Sequence, residues 1–230
     1  MQFCIRKLGF AGAHIAERAF PQQSLVKNAE SLDFWFIQPV RHRASRTPVF
    51  LPRRVMTRPR VRYFAYGSNM LTARLRERVP SAAAIGIGQL VGHALRWDKR
   101  SWQDGSGKCD AEATSRNDDV VWGVLFELDP EDKPALDKAE GVGAGYLEKT
   151  VNVLTEAGLV TAVTYCANDK DTTLRPYHWY KALVIAGARE HGLPASYRSG
   201  LELVVTVSDT DTARASRHKD LLPDDGQTHR

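Results

Sequence analysis

The stretch DVVWGVLFEL, residues 119–128, constrains the fold most. Its almost unbroken apolar run of Val, Trp, Leu and Phe, closed by Asp129-Pro130, reads as a β-strand and is the strongest such signal in the chain. Other strands follow by the same reasoning. VRYFAYG (61–67) is aromatic, β-branched and closed by Gly67. The segment 82–97, AAAIGIGQLVGHALRW, is a long strand or a strand pair weakened by its glycines. A turn at DGSGK (104–108) precedes a short strand near 109–114, and residues 146–168 form a β-hairpin that turns at Glu156-Ala157-Gly158. Helices are interspersed among these strands. LTARLRERV (71–79) has Leu71 and Leu75 on one face, Ser68 or Asn69 as N-cap, and Pro80 as its stop. Asp129-Pro130 serves as cap and first-turn proline for a second helix, which Gly141 closes. YHWYKALVIAGAREHG (177–192) and a short helix within 196–207 complete the set. Strands and helices that do not alternate regularly indicate an α+β domain with a small curved, barrel-like sheet and flanking helices.

Three segments are expected. Residues 1–60 show no sustained periodicity and are rich in Arg and Pro toward their end, so they are expected to be a disordered basic arm. Met56 lies six residues before Arg62, so a start at Met56 with the preceding residues over-translated stands beside a functional arm. Residues 61–207 form the folded domain, and 208–230 read as a polar tail.

Composition narrows the function classes. At 230 residues with 43% hydrophobic content, the chain can build one sizeable core without metal or disulfide staples. No apolar run approaches the roughly 20 residues that span a bilayer, and the N-terminus has no clean secretory h-region, so no membrane partner is expected. Three widely spaced cysteines (Cys4, Cys109, Cys166) argue against a disulfide framework or zinc site and for a cytoplasmic protein. The formal charge is +5, but residues 1–60 carry a net +8, which leaves the folded part mildly acidic. That distribution argues against nucleic acid as a partner.

Candidate chemistry centres on two stretches. In FAYGSNM (64–70), a strand ends in Gly-Ser before a helix N-terminus. Such a loop presents unpaired backbone N–H groups and the positive end of a helix dipole, suited to a carboxylate or a developing oxyanion. A plain capped turn is the competing explanation. In ALDKAEGVGAGY (135–146), Glu140 shares a helix face with Leu136. If Leu136 is core, Glu140 points inward at the negative end of the helix, where burial and the dipole would raise its pKa toward that of a general acid/base. A surface glutamate at a fraying helix end competes with that picture. The glycines at 141, 143 and 145 form a loop leading to Tyr146.

DGSGK is not a Walker A loop, although Lys108 remains a candidate for reaching a substrate carboxylate. GHALRWDKRSW (92–102) could stack on single-stranded nucleic acid or be a solvated strand edge. The histidines are scattered, with none at metal-ligand spacing, and there is no nucleophile motif. If the chain is an enzyme, it performs acid/base chemistry on a small molecule.

Taken in order, YFAYGSNM (63–70), PSAA (80–83), VWGVLFEL (121–128), LDKAEGV (136–142), Tyr146 and GAREHGLP (187–194) resemble the γ-glutamylcyclotransferase family over about residues 61–205. The resemblance implies a small β-barrel with flanking helices. It also implies cyclisation of a γ-glutamyl amino acid or amine to 5-oxoproline, with release of the amine and no metal or organic cofactor. By the same resemblance Glu140 is the catalytic acid/base. Tyr63, Phe64, Ala65, Tyr66, Gly67, Ser68 and Asn69 form the substrate-binding loop, and Tyr146 and Tyr165 line the pocket. The Y-G-S-N form favours the γ-glutamyl-amino-acid branch over the Y-G-S-L and Y-G-T-L branches. The expected partner is a small γ-glutamyl substrate, with a homodimer left open. A catalytically silent binding or interaction protein of the same fold is the alternative.

Overall fold

The computed structural model describes residues 59–114 and 116–223. Apart from Pro59 and Arg60, the expected basic arm lies outside the described residues. So do Met56, Cys4 and the last seven residues. The elements run β1 (Val61–Ala65), a 3-10 turn (Ser68–Met70), α1 (Thr72–Arg76), β2 (Ala83–Val91), β3 (His93–Arg100), β4 (Gly107–Ala113) and β5 (Val120–Leu128). There follow α2 (Lys133–Glu140), β6 (Tyr146–Thr155), β7 (Gly158–Ala167), α3 (His178–Glu190), α4 (Ala195–Glu202) and α5 (Thr212–Lys219). The segment 82–97 is thus a strand pair, divided at Gly92.

Five strands close into a barrel in the order β1-β5-β2-β6-β7, and β3 with β4 forms a separate two-stranded sheet. This is the α+β, barrel-like architecture expected from the sequence. The apolar run of β5 has its reason here: the strand pairs with β1 on one side and β2 on the other, and Val121, Val124, Leu125, Phe126 and Leu128 are buried. Phe64, Phe126, Met70, Leu75 and Leu136 are fully enclosed. Burying side chains of this size stabilises the fold by roughly 1.5–3 kcal/mol each relative to exposure.

Topology gathers several chain segments at one end of the barrel. β7 runs parallel to β1, with Val163 opposite Tyr63, so the C-terminal ends of both strands lie together. β6 is antiparallel to β7, with Tyr146 opposite Ala167, which brings the start of β6 to the same end. α2 delivers Glu140 to this end, just before β6. The stripe Trp179, Tyr180, Leu183, Val184, Gly187 and Ala188 of α3 is buried at helical spacing and packs α3 against the 3-10 turn.

Three local expectations need correction. Neither Ser68 nor Asn69 caps a helix: α1 is shorter than expected, begins after Leu71 and has no side-chain cap. Second, α2 begins after Asp132, with Pro134 in its first turn, because Asp129–Asp132 closes a turn of its own (Asp132 N–H to Asp129 O, 3.0 Å). Third, the segment expected to be a polar tail contains α5, capped by Asp211, whose carboxylate accepts from the Arg214 N–H at 2.9 Å. Among the described residues, no helix is long and apolar enough to cross a membrane.

Candidate active site

A cleft opens at the gathered end of the barrel. Its wall brings together Tyr63, Tyr66, Gly67, Ser68, Asn69, Glu140, Tyr146 and Tyr165 from the expected set. Phe64 and Ala65 are not among the lining residues. Both are fully buried, and they pack against Gly123, where an added Cβ would lie 2.4 Å from the Ala65 carbonyl oxygen and 2.6 Å from the Phe64 ring. They support the loop from within the core. Two lining residues were not foreseen, Cys109 and Tyr180. In the sequence Cys109 carries no metal, disulfide or nucleophile motif, and Tyr180 is one aromatic of an apolar helix, so neither signals the cleft.

Glu140 is the last residue of α2, and Gly141 follows in the left-handed conformation (φ 65°) that ends the helix. Leu136 is completely buried, as the shared-face argument requires, and the Glu140 side chain retains 14% exposure. Its Oε1 accepts from Asn69 Nδ2 at 2.7 Å and lies 3.3 Å from the Arg78 guanidinium. Arg78 in turn donates to Asn69 Oδ1 at 2.9 Å, and Asn69 Nδ2 also donates to the Tyr63 hydroxyl at 3.1 Å. One buried amide therefore ties the loop to the helix that carries the carboxyl group. Neither of these donors is visible in the local sequence around Glu140.

The loop itself is held from below. Ser68 Oγ accepts from Arg74 Nε at 2.9 Å, while the hydrogen bonds of the 3-10 turn begin only at the Met70 N–H (to Gly67 O, 3.0 Å). The Ser68 and Asn69 N–H groups therefore have no intrahelical acceptor. Around them the tyrosines form a wall of neutral phenols. Burial raises the pKa of Tyr63, Tyr66, Tyr146 and Tyr180, and the negative charge of Glu140 adds to the effect at Tyr63. Burial, then a 2.6 Å hydrogen bond to Asp137, does the same for Tyr165. Tyr146 donates to the Cys109 carbonyl at 2.6 Å, Tyr66 to that of Tyr165, and the Cys109 N–H donates to Tyr180 at 3.1 Å. Burial pushes the Cys109 thiol up to about 12, so it is no nucleophile near neutral pH.

Comparison with known proteins agrees with this geometry. Over 150 residues, the chain is 33% identical to human gamma-glutamylcyclotransferase, covering 62% of this chain and 77% of that protein. The chain belongs to the γ-glutamylcyclotransferase family. The Bos taurus gamma-glutamylcyclotransferase matches at the same identity and coverage. Residues 120–201 also match the AIG2-like family. A solved gamma-glutamyl cyclotransferase structure superposes with a TM-score of 0.63 at 29% identity, covering 70% of this chain and 99% of the other. The crystal structure of an uncharacterized human protein superposes at 0.60 and 31% identity, with 65% and 90% coverage.

The segment GHALRWDKRSW, singled out as basic and aromatic, forms β3 and its exit. Trp97 packs edge-on against Tyr180 at 6.0 Å, while Trp102 is 73% exposed with Arg100 over its ring.

Proposed function

We infer that this member of the γ-glutamylcyclotransferase family is a cytoplasmic enzyme that converts a γ-glutamyl amino acid or amine to 5-oxoproline, with Glu140 as acid/base. The carrying observation is that the Glu140 carboxylate and the Gly67–Asn69 loop line one cleft, joined through Asn69 at 2.7 Å. The γ-glutamyl group enters the cleft, and its γ-carbonyl oxygen faces the N–H groups of Ser68 and Asn69. Glu140 takes a proton from the substrate's α-ammonium, freeing the amine lone pair. The amine nitrogen attacks the γ-carbonyl carbon, closing the five-membered ring and placing negative charge on the oxygen. Loop N–H groups and the neutral Tyr63 hydroxyl stabilise that charge. Collapse of the tetrahedral intermediate breaks the original amide bond as Glu140 returns the proton to the departing nitrogen. Glu140 then takes the second proton from the ring nitrogen, leaving the neutral lactam, and passes it to the released amine. Nucleophile and electrophile belong to one molecule, so the cleft supplies rate mainly by holding the substrate folded.

Incubation with γ-glutamyl-alanine, followed by quantification of 5-oxoproline, tests this reading. Glu140→Gln keeps the shape and the hydrogen bond to Asn69 but cannot shuttle the proton. The kcat should fall by about 10²–10⁴-fold while the circular dichroism spectrum stays native. A fully active variant would overturn the role of Glu140. Failure of the wild type to act on any γ-glutamyl dipeptide, γ-glutamyl amine or glutathione would overturn the activity and leave a silent binder of the same fold.

A further inference from the structure

A second, larger cavity shares Ser68, Glu140, Tyr146 and Tyr180 with the cleft. Glu140, the group that acts at the scissile amide, lines both, so a leaving group extending beyond that amide is directed toward the outer one. That outer cavity is lined by four cationic side chains, Arg74, Arg78, Lys99 and Lys108, and Glu140 is the only carboxylate among its lining residues. Two of the cations are already matched: Arg78 by Glu140 at 3.3 Å, and Lys108 by Asp104 at 2.7 Å. The other two have no carboxylate partner among the described residues.

Arg74 is 7% exposed, and among the described residues its guanidinium donates to Ser68 Oγ and to His218 Nδ1, the latter at 3.2 Å. Both acceptors are neutral, and Glu140 and Glu77 act on this buried charge only at a distance, a costly arrangement unless an anion in direct contact completes it. Lys99 rests its ammonium 4.6 Å from the centroid of the Tyr146 ring and against Gly145, where an added Cβ would lie 2.9 Å from Nζ. Among the described residues no hydrogen bond or ion pair engages that ammonium; Glu140, Asp104 and Asp169 attract it only at a distance. Lys108 feels repulsion from both Arg74 and Lys99, which places the charges in one cluster.

We propose that the outer cavity is an anion subsite for a leaving group with two carboxylates, so that the preferred substrates carry glutamate or aspartate beyond the scissile amide. The leaving amino acid's α-carboxylate compensates one unpaired cation and its acidic side chain the other. This inference rests on the cyclotransferase reading. It adds a selection among leaving groups that neither the loop nor Glu140 can make, since both act on atoms every γ-glutamyl compound shares.

The test compares kcat/KM for γ-glutamyl-glutamate, its neutral isostere γ-glutamyl-glutamine, and γ-glutamyl-methylamine, all read as 5-oxoproline. Glutamate should exceed glutamine by about tenfold, mostly through KM, with methylamine lowest, and added salt should compress the range. Lys99→Met keeps the stem against Tyr146 and should bring the glutamate-to-glutamine ratio toward one, whereas Lys99→Arg should restore it. Equal rates for the two isosteres in the wild type, or a ratio indifferent to Lys99→Met, would overturn the subsite. Product inhibition of the wild type by free glutamate but not glutamine supports it independently of any variant, and equal inhibition opposes it. If no γ-glutamyl compound is turned over, calorimetric binding of the same isosteres to the wild type still decides: tighter γ-glutamyl-glutamate keeps the subsite and rejects only the reaction, and equal binding rejects both.

Discussion

Seating of the loop on α3 can be perturbed at a single atom. Gly187 faces the 3-10 turn so closely that an added Cβ would stand 2.4 Å from the Leu71 nitrogen, 2.5 Å from the Met70 carbonyl carbon and 2.7 Å from the Met70 Cβ. Carbon atoms settle at about 3.5–4 Å, so Gly187→Ala must drive the Met70–Leu71 peptide away by about 1 Å. The first two are backbone atoms and the position of Cβ is fixed by the backbone, so no rotamer change can relieve the clash. Alanine is the better helix former by about 1 kcal/mol, but overpacking costs about 1–3 kcal/mol, so the net effect is destabilising or close to neutral. Activity should respond more sharply than stability. Ser68 and Asn69 directly precede the displaced peptide, and a misplacement of about 1 Å can cost about 10²-fold in rate. The assay is kcat/KM for 5-oxoproline formation from γ-glutamyl-alanine, with a thermal melt on the same samples. Gly200→Ala is the control: it sits in α4 with nothing within 4 Å of an added Cβ and should gain a little stability with unchanged kinetics. Wild-type kcat/KM in Gly187→Ala would refute the claim that α3 fixes the loop in its working position.

Two pH effects follow from the surroundings of Arg74. His218 stacks on Trp179 at 3.9 Å, and burial, then the charge of Arg74, lowers its pKa from the usual 6.5 to about 4. Between those values the unfolded chain binds a proton that the folded chain does not, so stability from this group declines as pH falls from 6.5 toward 4. His218→Gln should flatten that part of a Tm-against-pH curve, and an unchanged slope would count against the arrangement. Burial likewise holds Lys108 down at about 8. As pH rises through 8 its charge disappears, so the preference for γ-glutamyl-glutamate over γ-glutamyl-glutamine should shrink between about pH 7 and 9. The substrate's own ammonium cancels from that ratio, and a preference constant across the range would exclude Lys108 from the subsite.

Features that were legible in the sequence were local and apolar. β5, the 146–168 hairpin and α3 carry their own hydrophobic periods, and Gly141 and Gly192 mark helix ends by adopting positive φ. The failures arose where tertiary partners outbid local preference. Asp129 does not cap α2: its carboxylate lies 3.5 Å from the Arg60 guanidinium, and Ser81 ties down the preceding loop by accepting from the Asp129 N–H at 2.9 Å and donating its own N–H to Asp132 at 3.1 Å. α5 escaped notice because it buries no residue. It is held by its Asp211 cap, by Arg214 paired to Asp209, and by His218 on Trp179, none of which produces a hydrophobic pattern. No hydrophobic period marks the roles of Arg74 and Arg78, of which one supports Ser68 and the other faces Glu140.

The site joins two motifs that lie some seventy residues apart, and Asn69 is where they meet. Its amide group makes three hydrogen bonds: to Tyr63 in β1, to Glu140 at the end of α2 and from Arg78 after α1. An N-cap would have used that side chain on a nearby backbone N–H and left Glu140 facing only Arg78 across 3.3 Å. The short 3-10 turn instead directs it inward, and α1 starts later without a cap. Loss of a cap costs a helix about 1 kcal/mol, whereas hydrogen bonds to charged groups contribute about 1.5–3 kcal/mol each. The magnitudes favour the observed choice, and they explain physically why asparagine rather than leucine follows Gly67-Ser68 in a chain whose carboxyl group must be held at one place in the cleft.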